Sequence, residues 1–169
     1  MTKTQNSTHG HMLVTQLAEA TSALIALVAP CSEAQWRASV PNEERSVGTM
    51  VHHIATNAPI VAGWAKQIGT GESPPSITME IVHADNARHA AEHVSPDKAE
   101  TIALLQYNTA AAAAIIRELS NEQLERSAPL ALFGGQPTSA RLIIEMVLIG
   151  HIRGYPHSHM PNIQTALAL

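Results

Sequence analysis

The sequence predicts an all-α fold, a four-helix bundle with short accessory helices, on three observations. Alanine is abundant while aromatic residues make up only 3% of the 169 positions, a balance that favours helix because alanine has the best intrinsic helix propensity. Apolar residues recur at intervals of three and four in four long segments. Each segment is bracketed by capping and breaking residues of the kind that start and stop helices.

The first helix is expected over Leu13–Val28, with Leu13, Leu17, Ala20, Leu24 and Leu27 or Val28 on one stripe and Pro30 as its stop. Ser32 and Gln35 have the spacing of a capping box and open a short turn that carries Trp36; Val40, Pro41 and Asn42 then break the chain. Ser46 is the expected N-cap of a second helix reaching about Ile68, with Val47, Met50, Val51, Ile54, Ala58, Val61, Ala65 and Ile68 at helical period. Pro59 bends that helix without ending it, and Gly69 to Gly71 close it.

After a loop at Ser73–Ser76, the weakly amphipathic stretch Ile77–Val94 reads as a short accessory helix. Ser95 as cap and Pro96 at the first helical position start a third long helix through Ile102, Leu105, Ile116 and Leu119. Ser120 and Gln123 form another capping box, Phe133–Pro137 is a loop, and Thr138 or Ser139 caps the fourth helix. Leu142–Ile149 is apolar on nearly every side except Glu145, which places this helix in the centre of the bundle. The whole chain, 1–169, reads as one domain, with residues 1–10 expected to be mobile.

Bulk properties exclude several classes of partner. The net charge is −4, with ten Lys and Arg residues in all and no cluster among them, so neither nucleic acid nor an anionic membrane surface is an expected partner. A single cysteine, Cys31, permits no intrachain disulfide and reads as a packed, inert thiol. With no signal-like apolar segment at the start, and no apolar run expected to reach the ~18 residues a bilayer requires, a cytoplasmic protein outside the membrane is the expectation.

The chemistry lies in ten histidines. On a helical wheel His53 sits on the flank of the second helix's apolar stripe and His52 nearly opposite it. His151 continues the stripe of Val147 and Leu148, so it too can face the interior. Imidazole nitrogens bind zinc and similar ions at about 2.0–2.1 Å, and catalytic sites commonly combine three protein ligands with one open position. His89 and His93 have the i, i+4 spacing of a metal pair but polar surroundings, and His9 and His11 read as exposed. Glu145 either supports a ligand histidine or marks the solvent edge of its helix.

Trp36, the run from Arg45 through His52 and His53 to Ala55, the pair Gly150 and His151, and the segment His159–Ile163 together resemble the DinB/YfiT-like metalloenzyme family, over most of the chain. The resemblance implies a four-helix bundle and a divalent metal ion (zinc, nickel or iron). Its ligands would be one histidine from the second helix and two spaced four apart on the last. It carries the ligand roles to His53, His151 and His159. Here Tyr155 holds the position four after His151; removing Gly154–His157 restores the family spacing, so these four residues read as an insertion. An unbroken helix would hold His151 and His159 about 12 Å apart, so the insertion must loop out. Gly154 and Pro156 suit such a break. His157 is the alternative ligand, and Tyr155 a residue placed to support the ligands. The resemblance further implies a hydrolase or thiol transferase acting on a small molecule, and a homodimer as in several family members. The alternative is a non-catalytic binding or dimerisation module whose metal site the insertion has destroyed.

Overall fold

In a computed structural model, residues 8–41, 43–153 and 159–168 are described. Helix α1 (Thr8–Val28) starts ahead of the expected Leu13, so His9 and His11 lie on its exposed face and residues 8–10 are helical. Leu13, Leu17, Ala20, Leu24 and Val28 are buried, as the stripe predicts. Among the described helices, α1 is the one long and apolar enough by composition to cross a membrane. This corrects the expectation that no such run exists, although its buried stripe is used inside the bundle against α5 (Lys98–Glu118).

The short α2 (Glu33–Trp36) forms the expected capping box: Ser32 Oγ accepts from Gln35 N at 3.2 Å, and Gln35 Oε1 accepts from Ser32 N at 3.0 Å. It delivers Trp36 into the core, where the indole N–H donates to Pro96 O at 2.8 Å. The ring lies on Gly48, where a Cβ would come within 2.5 Å of Nε1. Only glycine allows that approach. Gly48 belongs to α3 (Val47–Thr70), whose cap is Ser46, accepting from Thr49 N at 3.1 Å. The helix runs through Pro59 and stops at Gly71, which takes a left-handed φ of 83°.

Helix α4 (Met79–Glu92) is the accessory helix expected from the sequence; none of its residues is buried, and it rests mainly on α3. For α5 the start is corrected. Asp97, not Ser95, is the cap, accepting from Glu100 N at 2.9 Å, and Pro96 stays outside the helix with its carbonyl taken by Trp36. Helices α3 and α5 form the most extensive pair, with α1 packed on α5. The box at Ser120 and Gln123 opens α6 (Asn121–Glu125) as expected.

The predicted loop at 133–137 is instead part of an antiparallel hairpin, β1 (Ser127–Leu130) and β2 (Gln136–Ser139), in register from Ser127 opposite Ser139 to Leu130 opposite Gln136. Pro129 and Pro137 face each other in it, and because proline donates no ladder hydrogen bond their presence argued against strands. Gly134 and Gly135, at φ 64° and 78°, make the turn.

The fourth helix comprises α7 (Ala140–Ile143), capped by Ser139, a π segment (Ile144–Ile149) and α8 (Gly150–Arg153). It is not enclosed on all sides: Leu142 and Met146 are 37% and 39% exposed. They are one helical turn apart and form an outer face, while Ile143, Ile144 and Leu148 point inward. Helix α9 (His159–Ala166) returns to the bundle and buries His159 and Ile163.

Candidate metal centre

His53 is carried by the second turn of α3, whose start is set by the Ser46 cap; the stripe of Met50, Ile54 and Ala58 turns that side of the helix inward. The ring is 4% exposed. His151 follows the π segment on α8, and His159 is the first residue of α9. A π segment adds residues per turn, so it resets the direction in which the following side chains point, and such segments are frequent at functional sites. Ring centroids are 4.1 Å apart for His151 and His159, 5.3 Å for His53 and His159, and 6.0 Å for His53 and His151. One nitrogen from each lies within 4.8 Å of the others. The rings meet at 60–81°, as side chains do when they converge on a point and do not stack.

The rings of His151 and His159 stand 4.1 Å apart, against the about 12 Å expected for these positions on one helix. His157, Tyr155 and the proposed insertion at 154–157 lie outside the described residues. Glu145 does not turn toward the histidines. Both its oxygens lie 3.1 Å from Arg141 Nη1, and Arg141 also donates to Glu125 at 2.7 Å, which fixes Glu145 on the outer face of the helix. That is the position of a residue on the solvent edge of its helix.

The donor set fits a divalent ion. Within the described residues neither ring nitrogen of the 4%-exposed His159 has a hydrogen-bond partner. Leaving such groups unpaired in the interior is costly, and a metal ion would satisfy one of them. Asn57 Nδ2 lies 3.0 Å from Nδ1 and 3.1 Å from Nε2 of His53. Nearly equal distances place the amide off both in-plane lone-pair directions, so neither nitrogen is fully engaged.

Burial keeps these imidazoles neutral, the form that binds metal. His53 is lowered from 6.5 to about 3, first by desolvation and then by the charges of Arg45 and the neighbouring histidines. His151 and His159 are lowered for the same leading reason. Between pH about 3 and 6.5 the unfolded chain therefore takes up a proton that the folded His53 refuses. The contribution of each such histidine is fully favourable above 6.5 and is lost as pH falls through that window. Chelator-treated protein is expected to lose unfolding free energy from pH 6.5 downward, by up to ~1.4 kcal/mol per pH unit for each buried histidine. Urea titrations at stepped pH measure this, and a flat profile between pH 6.5 and 4 would contradict the buried neutral triad.

His151 and His159 open onto a cleft of about 940 Å³ walled by α4 residues such as Met79, His83 and Ala87 and by Arg45 from the loop before α3. That size suits a small molecule. Arg45 is paired with Glu43, which offsets its charge beside the histidines, yet its Nη1 is buried without a partner among the described residues. Cys31, away from this cleft, is buried, and desolvation raises its thiol pKa against the opposing charge of Lys98. The inert reading of that residue agrees with this.

Sequence reasoning placed His52 opposite the stripe and His89 and His93 in solvent. The structure brings these three together on the α3–α4 face, each half-buried. The available signal was the i, i+4 spacing of His89 and His93 on one helix face.

The chain matches the family model described as DinB superfamily over residues 16–151, a span that includes His53 and His151 and ends before His159. Neither a curated protein nor a solved structure shows significant similarity to it. With that match covering most of the chain, and a helical bundle that gathers histidines from its second and last long helices, the protein belongs to the DinB superfamily.

Proposed function

We propose that this protein is a divalent-metal-dependent enzyme acting on a small molecule, a hydrolase or a thiol transferase, with His53, His151 and His159 as metal ligands. The observation that carries this reading is the His53, His151 and His159 triad, with unpartnered nitrogens on the buried His159 and with His151 and His159 lining a cleft of about 940 Å³. Imidazole donors suit zinc, nickel or iron. A bound ion of this kind supplies Lewis acidity and lowers the pKa of a water or thiol at its open position.

The chain's own residues do the rest. The three imidazoles stay neutral at physiological pH because they are desolvated. Convergence of the three rings argues against a bundle whose site the 154–157 insertion has destroyed.

The test uses untagged protein, its metal content, and a screen for ester, amide and low-molecular-weight thiol turnover before and after chelation. Near-stoichiometric zinc, nickel or iron is expected, with turnover lost on stripping and restored by the ion. Protein that stays metal-free under replete conditions would overturn the reading in favour of a non-catalytic binding module.

A further inference from the structure

His52, His89 and His93 form a second triad, separate in its residues from the first. One nitrogen from each of the three lies within 4.8 Å of the others. Their centroid separations are 4.0, 4.7 and 5.1 Å, against 4.1 to 6.0 Å in the first triad; unlike the first, its rings lie at 27–41° with His52 and His93 stacked, so bringing three nitrogens onto one ion takes a rotation of these half-buried rings. His52 Nδ1 is 2.9 Å from His89 Nε2. Two nitrogens on a tetrahedral ion at 2.0–2.1 Å would stand about 3.3 Å apart, a small outward swing from that position.

The supports of this triad are built in from both helices. His89 and His93 lie one turn apart at the end of α4, with His93 the C-cap residue, the i, i+4 arrangement by which a helix presents two imidazoles to one ion. His93 is tied to α3 through its carbonyl, which accepts from Thr49 Oγ1 at 2.8 Å, and His52 follows Thr49 by one turn of α3. A His52–His89 hydrogen bond uses one nitrogen of each ring. It leaves His89 Nδ1, which is buried and has no partner among the described residues. Three imidazoles with their nitrogens gathered this closely, with no carboxylate among them in the described residues, make a donor set suited to a shared cation.

We propose that His52, His89 and His93 form a second binding site for a zinc-class divalent ion, which clasps α4 to α3. The two sites would share a wall, since His52 and His53 are consecutive and the rings of His53 and His89 are 5.5 Å apart. Because α4 has no buried residue and lines the cleft, an ion here fixes the wall of the first site. The second site does not depend on the first being filled.

The experiment is equilibrium dialysis of chelator-stripped, untagged full-length protein against buffered sub-micromolar free zinc, in wild type, His89→Ala/His93→Ala and His53→Ala/His159→Ala. Circular dichroism melting checks that each is folded, and His93→Ala alone replaces the first double variant if that loses its fold. Two equivalents in wild type, falling to one in His89→Ala/His93→Ala and to one in His53→Ala/His159→Ala, are expected. A single wild-type equivalent lost only in His89→Ala/His93→Ala would uphold this site and sink the first. A single equivalent untouched by His89→Ala/His93→Ala overturns the proposal, as does no zinc at all. One equivalent lost in both double variants also overturns it, because the six histidines would then build one centre.

Discussion

Replacing His53 by alanine is expected to lower affinity for the metal at the first site by more than ~100-fold, beyond the 10–100-fold that loss of a residue merely supporting a ligand typically costs. The effect on the metal-free fold should be small. His53 is buried but neutral, its contact with Asn57 is off-axis, and its removal leaves no charge stranded in the interior. Melting of the metal-free variant within about 2 kcal/mol of metal-free wild type is the expected companion result. Wild type with ion at 1,000 times its Kd gains about 4 kcal/mol by linkage, and the variant should not. Calorimetric zinc titration together with thermal melting with and without zinc measures both quantities. A histidine that served only packing would give the reverse: a large loss in the metal-free protein and no difference in the response to zinc.

Trp36→Ala is expected to cost about 3–5 kcal/mol of unfolding free energy, the range for removing a large buried aromatic. Trp36 is 1% exposed, donates to Pro96 O at 2.8 Å and fills the space over Gly48. Truncation therefore opens a cavity between α2 and the first turn of α3 and deprives the Pro96 carbonyl of its donor. For a domain of this size the loss corresponds to a fall in Tm on the order of 6–20 °C. It is a large share of the 5–15 kcal/mol that typical domains possess. Trp36→Phe keeps most of the apolar contact and should cost clearly less. Denaturant and thermal unfolding of both variants measure the difference, and a cost below about 1 kcal/mol for alanine would show that the indole does not anchor this corner. Because the anchor lies at the same end of α3 as His52 and His53, weakened zinc binding should accompany the loss of stability.

How far each element could be read from the chain followed from how local its cause is. The caps at Ser32, Ser46 and Ser120 were readable because a hydroxyl and an N–H three residues away settle them; at the fourth helix Thr138 and Ser139 both stood open, and Ser139 takes the role. At Ser95–Asp97 the reading took Ser95 as the cap, and a distant residue decided otherwise: Trp36 occupies the Pro96 carbonyl, and the helix starts after Asp97. The hairpin at 127–139 was hidden because its prolines look unlike strand residues, and pairing between segments, not propensity, makes it. The fourth helix was read on a period of 3.6 residues, but the π segment over Ile144–Ile149 breaks that period and the helix exposes Leu142 and Met146.

The sequence by itself determined the helical bundle, the helix boundaries to within a few residues, the family resemblance and His53 as an inward-facing candidate ligand, because each rests on patterns spanning one or two helical turns. Only the tertiary structure decided which histidines meet. His159, first in α9, meets His151 of α8, and His52, outward on an isolated wheel, is half-buried because α4 covers it. The physical reason is that periodicity records which face of a helix is apolar, whereas the neighbour placed against the other face is set by packing between segments far apart in the chain.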